Sequence, residues 1–156
     1  MNVGDALGVF RLSGIDSDGS TERIFDSAEL AGRPAVLAFY PADQSVVCTM
    51  QLNHYAEHLP RLRGLDATVW AISPQTTADH AAWLRKRSAP FGFPLLSDPE
   101  KEVGRAFGIL GLLDLYRRFT VVADPQGTIR WFHRSLAGGL TYPLVSEIAE
   151  AIDRIR

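Results

Sequence analysis

Two stretches of the chain are apolar at nearly every position rather than at alternate ones: Pro34-Ala-Val-Leu-Ala-Phe-Tyr40, closed by Pro41, and Ala67-Thr-Val-Trp-Ala-Ile-Ser73. Short continuous runs of this kind mark strands covered on both faces. Between them the pattern changes to a helical period. From Ser45 onward Val47, Leu52, Tyr55, Leu59 and Leu62 share one stripe, and Gly64 ends it. Thr76 or Thr77 caps a further helix running to about Arg87. Phe93 to Ser97 reads as a short strand, and Asp98-Pro99 opens a helix ending near Gly108.

Both ends of the chain add hairpins. Phe10 to Leu12 and Arg23 to Phe25 flank Asp16-Ser-Asp-Gly19, while Arg118 to Ala123 and Thr128 to His133 flank Asp124-Pro-Gln-Gly127. The Asp16 turn lacks a calcium loop's spacing, because Gly19 comes too early and no acidic residue closes it. Tyr142 to Ile155 predicts a last amphipathic helix with Leu144, Ile148, Ile152 and Ile155 inward. This order predicts an α/β fold, a sheet with helices on both faces, in a single domain over residues 1–156.

Composition narrows the function. Of the 156 residues, 46% are hydrophobic and 22% charged, ordinary globular usage. Sixteen basic against eighteen acidic residues give a net charge of −2, which argues against a nucleic-acid footprint and against a polybasic membrane surface. Met1 to Phe10 carries no secretory pattern, and no run of about 18 apolar residues occurs. A single cysteine, Cys48, excludes an internal disulfide. These features lead us to expect a cytoplasmic protein with no membrane partner.

The chemistry gathers in Phe39-Tyr-Pro-Ala-Asp-Gln-Ser-Val-Val-Cys-Thr-Met-Gln51, which joins a buried strand to the first turn of a helix. Unpaired N–H groups at a helix start stabilise an anion, and the thiolate is cysteine's reactive form. By position alone Cys48 fits two readings, a reactive thiolate or a small buried apolar residue.

Pro41, Ser45 and Cys48 resemble the peroxiredoxin active-site motif, Pro-x-x-x-Thr/Ser-x-x-Cys, at the family's spacing. The resemblance covers nearly the whole chain: Gly4-Asp5, Leu30-Ala-Gly32, Phe93-Pro-Leu-Leu-Ser-Asp98 and Ala106-Phe-Gly108 look like its landmarks. Arg118-Phe-Thr-Val-Val-Ala-Asp-Pro-Gln-Gly127 resembles the segment that carries the family's active-site arginine, which implicates Arg118. Its guanidinium would favour the thiolate and orient a peroxide. Arg117 and Arg118 point to opposite faces of a strand, so at most one of them can do this. One turn before the cysteine, the Ser45 hydroxyl can bond both the sulfur and a peroxide oxygen, besides capping the helix. Pro41 can shelter the thiolate from water.

The resemblance implies a thioredoxin-like fold with a central mixed sheet flanked by helices and an N-terminal hairpin extension. It also implies thiol-dependent reduction of hydrogen peroxide and organic hydroperoxides through a Cys48 sulfenic acid, with no metal or organic cofactor. Some features depart from or subdivide the pattern. Gln51 stands where many relatives carry Glu, and Asn53 where some of the bacterioferritin-comigratory branch carry a resolving cysteine. The chain therefore resembles a one-cysteine enzyme that uses an external thiol or redoxin, as a monomer or homodimer. His80-Ala-Ala-Trp83 is similar to a stretch of the alkyl hydroperoxidase E type, and both branches stay open. Trp83 is expected to pack on a helix face and His80 to lie on the surface.

Other readings compete. A peroxide sensor or redox relay would keep the same site and pass its oxidation to a partner. His54-Tyr-Ala-Glu-His58 fits the His-x-x-Glu-His pattern of some zinc proteases, with His54, Glu57 and His58 as the functional set. A cysteine hydrolase would need a histidine beside Cys48, and none is placed there. Thioredoxin-type dithiol chemistry is disfavoured because Ser45 stands where the first cysteine of Cys-x-x-Cys would be.

Overall fold

The two continuous apolar runs become neighbouring strands at the centre of the sheet. The computed structural model describes residues 1–135 and 141–156. Its strands are β1 (Arg11–Ile15), β2 (Glu22–Asp26), β3 (Ala35–Phe39), β4 (Thr68–Ser73), β5 (Leu95–Ser97), β6 (Phe119–Ala123) and β7 (Ile129–Arg134). They form one sheet in the order β2-β1-β5-β4-β3-β6-β7. β3, β4 and β5 run parallel, and the β1–β2 and β6–β7 hairpins join them antiparallel at either side. The sheet is mixed and thioredoxin-like, as expected.

Alternation along β3 divides the core in two. Val36, Ala38 and Tyr40 face one cluster, where α1 (Val46–Glu57), α2 (Leu59–Gly64), α3 (Thr77–Arg85) and α5 (Val145–Asp153) bury their apolar residues. Ala35, Leu37 and Phe39 face the other, with α4 (Glu102–Ala106) and the rings of Trp70, Phe107 and Phe119. No helix among the described residues is long and apolar enough to cross a membrane.

The helices differ from the sequence reading at three points, each with a local cause. The helix expected from Ser45 to Gly64 breaks at His58, because Pro60 lacks an N–H and its ring clashes with the carbonyl four residues earlier. The last helix starts at Val145 rather than Tyr142, since Pro143 disfavours helical backbone at the residue before it. Leu144 is therefore not inward but 47% exposed, and Val145 takes the buried place. The helix expected from Asp98 begins only at Glu102. Asp98 turns back instead, and its carboxylate accepts from the N–H groups of Val103 and Gly104 and from the Tyr116 hydroxyl.

Candidate active site

β3 ends in the middle of the sheet, so whatever follows it lies over the core. Tyr40 continues the pairing, its N–H donating to the Ile72 carbonyl at 2.9 Å. The chain then turns through Pro41 to Gln44, and Gln44 takes a left-handed conformation with φ 63°. Ser45 is extended and caps α1: its Oγ accepts from the Cys48 N–H at 3.2 Å. That leaves the serine hydrogen free to point elsewhere. Pro41 is the first residue of the same turn and is half-buried.

Cys48 is fully buried in the first turn of α1. Arg118, just before β6, is 3% exposed and extends to it. Its Nη1 donates to Cys48 Sγ at 3.3 Å and to Gln51 Oε1 at 2.6 Å. The same amide donates through Nε2 to the Tyr55 hydroxyl at 3.1 Å, and Tyr55 donates to the Pro143 carbonyl at 2.9 Å. A carbonyl only accepts, so the direction of every bond in this chain is set from its far end. Burial pushes the Tyr55 phenol up to about 12, which keeps it a donor. Gln51 thus holds the guanidinium through an uncharged oxygen. Arg117 is exposed and lies against Gly111, where a Cβ would collide with its guanidinium. The two arginines do part, and Arg118 is the inward one.

His80 corrects an expectation. It is not on the surface but wholly buried, with Nδ1 2.7 Å from Asp43 Oδ2 and Nε2 3.1 Å from the Leu96 carbonyl. His80, Trp83 and Leu84 are spaced i, i+3 and i+4 on α3, so a buried stripe that includes the histidine was present in the sequence. Trp83 packs beside Tyr40 and Phe91, as expected. Asp43 also accepts from the Tyr40 hydroxyl at 2.8 Å. Burial and this facing carboxylate push the Tyr40 phenol well above its ordinary range. Asp43 and Tyr55 were not singled out from sequence, because their partners lie 37 and 88 residues away.

His54 serves the fold. Its Nε2 accepts from the Val145 N–H at 3.0 Å, at the start of α5. Burial, and then the neighbouring His58, lower its pKa from the ordinary 6.5. Nε2 of His54 is thus committed to the backbone at the start of α5, and His58 and Glu57 are exposed. Among the described residues no group of three or more His, Cys, Asp or Glu could hold a metal ion.

With this geometry in place, the model of the AhpC/TSA family matches residues 3–132. The chain belongs to the AhpC/TSA family. Within this family of peroxiredoxins it is 32% identical over 109 residues to alkyl hydroperoxide reductase C of Amphibacillus xylanus, which covers 66% of this chain and 56% of that protein. It is also 32% identical over 122 residues to the chloroplastic peroxiredoxin Q of Triticum aestivum, covering 77% of this chain and 54% of that protein. The chain spans about half the length of the curated AhpC/TSA relatives it matches. Enterococcus faecalis AhpC superposes with a TM-score of 0.87 at 25% identity, over 99% of this chain and 92% of that one.

Proposed function

We propose that the chain is a thiol-dependent peroxidase that reduces hydrogen peroxide and organic hydroperoxides through Cys48. The observation that carries the reading is the buried guanidinium of Arg118 at 3.3 Å from the Cys48 sulfur. A guanidinium fixed beside the sulfur can attract negative charge on the attacking sulfur and donate to a peroxide oxygen. The thiolate attacks the terminal oxygen of the hydroperoxide. An S–O bond forms, the O–O bond breaks, and the departing alkoxide or hydroxide takes up a proton. Cys48 becomes a sulfenic acid, oxidised by two electrons. In this reading Arg118 and the Ser45 hydroxyl orient the peroxide and stabilise the leaving oxygen, and Pro41 keeps bulk water from the sulfur.

The 156 residues hold one cysteine, so an external thiol closes the cycle. It displaces water from the sulfenic acid to form a mixed disulfide, and a second thiol releases Cys48 as the thiol. With stoichiometric hydrogen peroxide the intact wild-type chain should gain one oxygen, and a following thiol should replace it by its own mass. Cys48→Ser should abolish peroxide consumption in the presence of thiol. Turnover by the serine variant at a comparable rate would overturn the assignment. A Cys48–Cys48 dimer as the kinetically competent species would replace the external thiol by a second subunit.

A further inference from the structure

The reading of Cys48 as the peroxide-reactive residue assigns no part to His80 and Asp43, yet these two are among the most thoroughly buried polar groups of the chain. The His80 side chain is 0% exposed and that of Asp43 3%. Nε2 of His80 faces a carbonyl and therefore carries a hydrogen. Nδ1 and Asp43 Oδ2 are hydrogen-bonded at 2.7 Å. The other carboxylate oxygen accepts from Tyr40, and the Asp43 N–H donates to Gln75 Oε1 at 3.2 Å. The bonds of Asp43 to His80 and to Gln75 tie the Pro41–Ser45 turn to the segment formed by the end of β4 and α3, while Leu96 joins His80 to β5 and Tyr40 joins Asp43 to the end of β3.

The turn needs such ties. Gln44, next to Asp43, has a left-handed backbone that a residue with a side chain adopts only when its surroundings impose it. Two residues of opposite role hang on that backbone: Pro41 before it and Ser45, the cap of the cysteine helix, directly after it. Shifting the turn moves the Ser45 hydroxyl and the first N–H groups of α1 relative to the sulfur. Errors of about 1 Å in such placement cost on the order of 10²-fold in rate.

We propose that His80 and Asp43 are positioning residues for the reaction at Cys48, their buried hydrogen bond holding the Pro41–Ser45 turn in the shape that both buries the sulfur and presents Ser45 to it. The inference rests on the peroxidase reading. It predicts that the bond to the turn matters and that the bond to Leu96 does not.

Two substitutions at one position separate these. His80→Asn keeps a donor at the place of Nδ1 and gives up Leu96; His80→Gln keeps the reach to Leu96 and gives up Asp43. Asp43→Ala removes the partner from the turn without altering α3. Cys48 oxidation by hydrogen peroxide is followed by stopped flow, native-state labelling of Cys48 by iodoacetamide by mass, and folding by thermal melting. H80Q and D43A should slow oxidation on the order of 10²-fold and speed labelling, since the turn opens. H80N should stay within a few-fold of wild type in both, and H80Q/D43A should be no slower than D43A alone.

Equal rates in H80Q, H80N and wild type would overturn the inference, as would equal slowing in H80Q and H80N. If H80Q does not fold, D43A decides by the same two readouts. A wild-type protein that gains no oxygen from peroxide would remove the peroxidase reading instead. Unchanged labelling in H80Q and D43A would then still overturn the claim that the pair holds the turn.

Discussion

Arg118 reaches the sulfur of Cys48 in a chain of bonds with neutral groups, Gln51, Tyr55 and the Pro143 carbonyl, whereas Asp43 and His80 close on each other and so join the turn before Cys48 to α3. In the first cluster the guanidinium bonds both the sulfur and the Gln51 amide oxygen. The second joins two ionisable groups by a buried hydrogen bond and directs its remaining bonds to Tyr40, Gln75 and Leu96. Damage should therefore show differently. Removing a neutral buried partner leaves an unsatisfied group worth about 1–3 kcal/mol. Breaking a buried pair by removing one partner costs about 3–5 kcal/mol. The sulfur side should be felt first in reactivity, the turn side in stability and reactivity together.

The sharpest way to break this contrast is at Arg118. Arg118→Ala should slow Cys48 oxidation by about 10²- to 10³-fold, the scale of losing one preorganised electrostatic donor. Arg117→Ala should leave it nearly unchanged, because that side chain is exposed on the other side. Stopped-flow oxidation of both variants decides, and equal effects would reverse the assignment of the inward arginine.

A smaller effect is expected one bond further from the sulfur. Tyr55→Phe takes the acceptor from Gln51 Nε2 and the donor from the Pro143 carbonyl in one step. It should lower stability by roughly 1–3 kcal/mol and slow oxidation only a few-fold, since Arg118 keeps its bonds to Cys48 and to Gln51 Oε1. Urea unfolding and the oxidation rate, measured on the same protein, test the separation of the two effects.

The smallest expected effect is the pH response of the segment on which that chain ends. His54 accepts from the Val145 N–H two residues beyond Pro143, and only a neutral nitrogen can do so. Its folded pKa lies below the ordinary 6.5, so the unfolded chain binds the proton more readily. The stability it contributes is complete above about 6.5 and is lost as pH falls through the lower folded value. Thermal melting between neutral and mildly acid pH should show this slope, and His54→Ala should flatten it. The turn side gives no reason for this residue to matter there.

The legible and the hidden parts of the molecule divide along a similar line. Central strands β3 and β4 announced themselves as unbroken apolar runs, and the hairpins by turns such as Asp124-Pro-Gln-Gly127. The start of α1 at Ser45 and the inward face of Arg118 were legible from the helical period and the strand alternation, while Pro41, Ser45, Cys48 and Arg118 were drawn together as a set by their resemblance to the peroxiredoxin motif and segment. The break at Pro60 and the late start after Pro143 were legible too, through proline chemistry that an apolar stripe conceals. His80 was misread because a lone histidine on a helix suggests solvent, although Trp83 and Leu84 share its stripe. Its pairing with Asp43, and that of Tyr55 with Pro143, depends on how the sheet brings distant segments together. No local period encodes that.

The central claim is that hydroperoxide oxidises Cys48 and that Arg118 makes it fast. Equimolar hydrogen peroxide followed by peptide mass spectrometry of the wild type, with oxidation timed beside Arg118→Ala, tests both parts at once. One oxygen should appear on the peptide bearing Cys48, and it should appear far more slowly in the variant. Oxygen on Met1 or Met50 with Cys48 unmodified, or equal rates in the two proteins, would contradict the account.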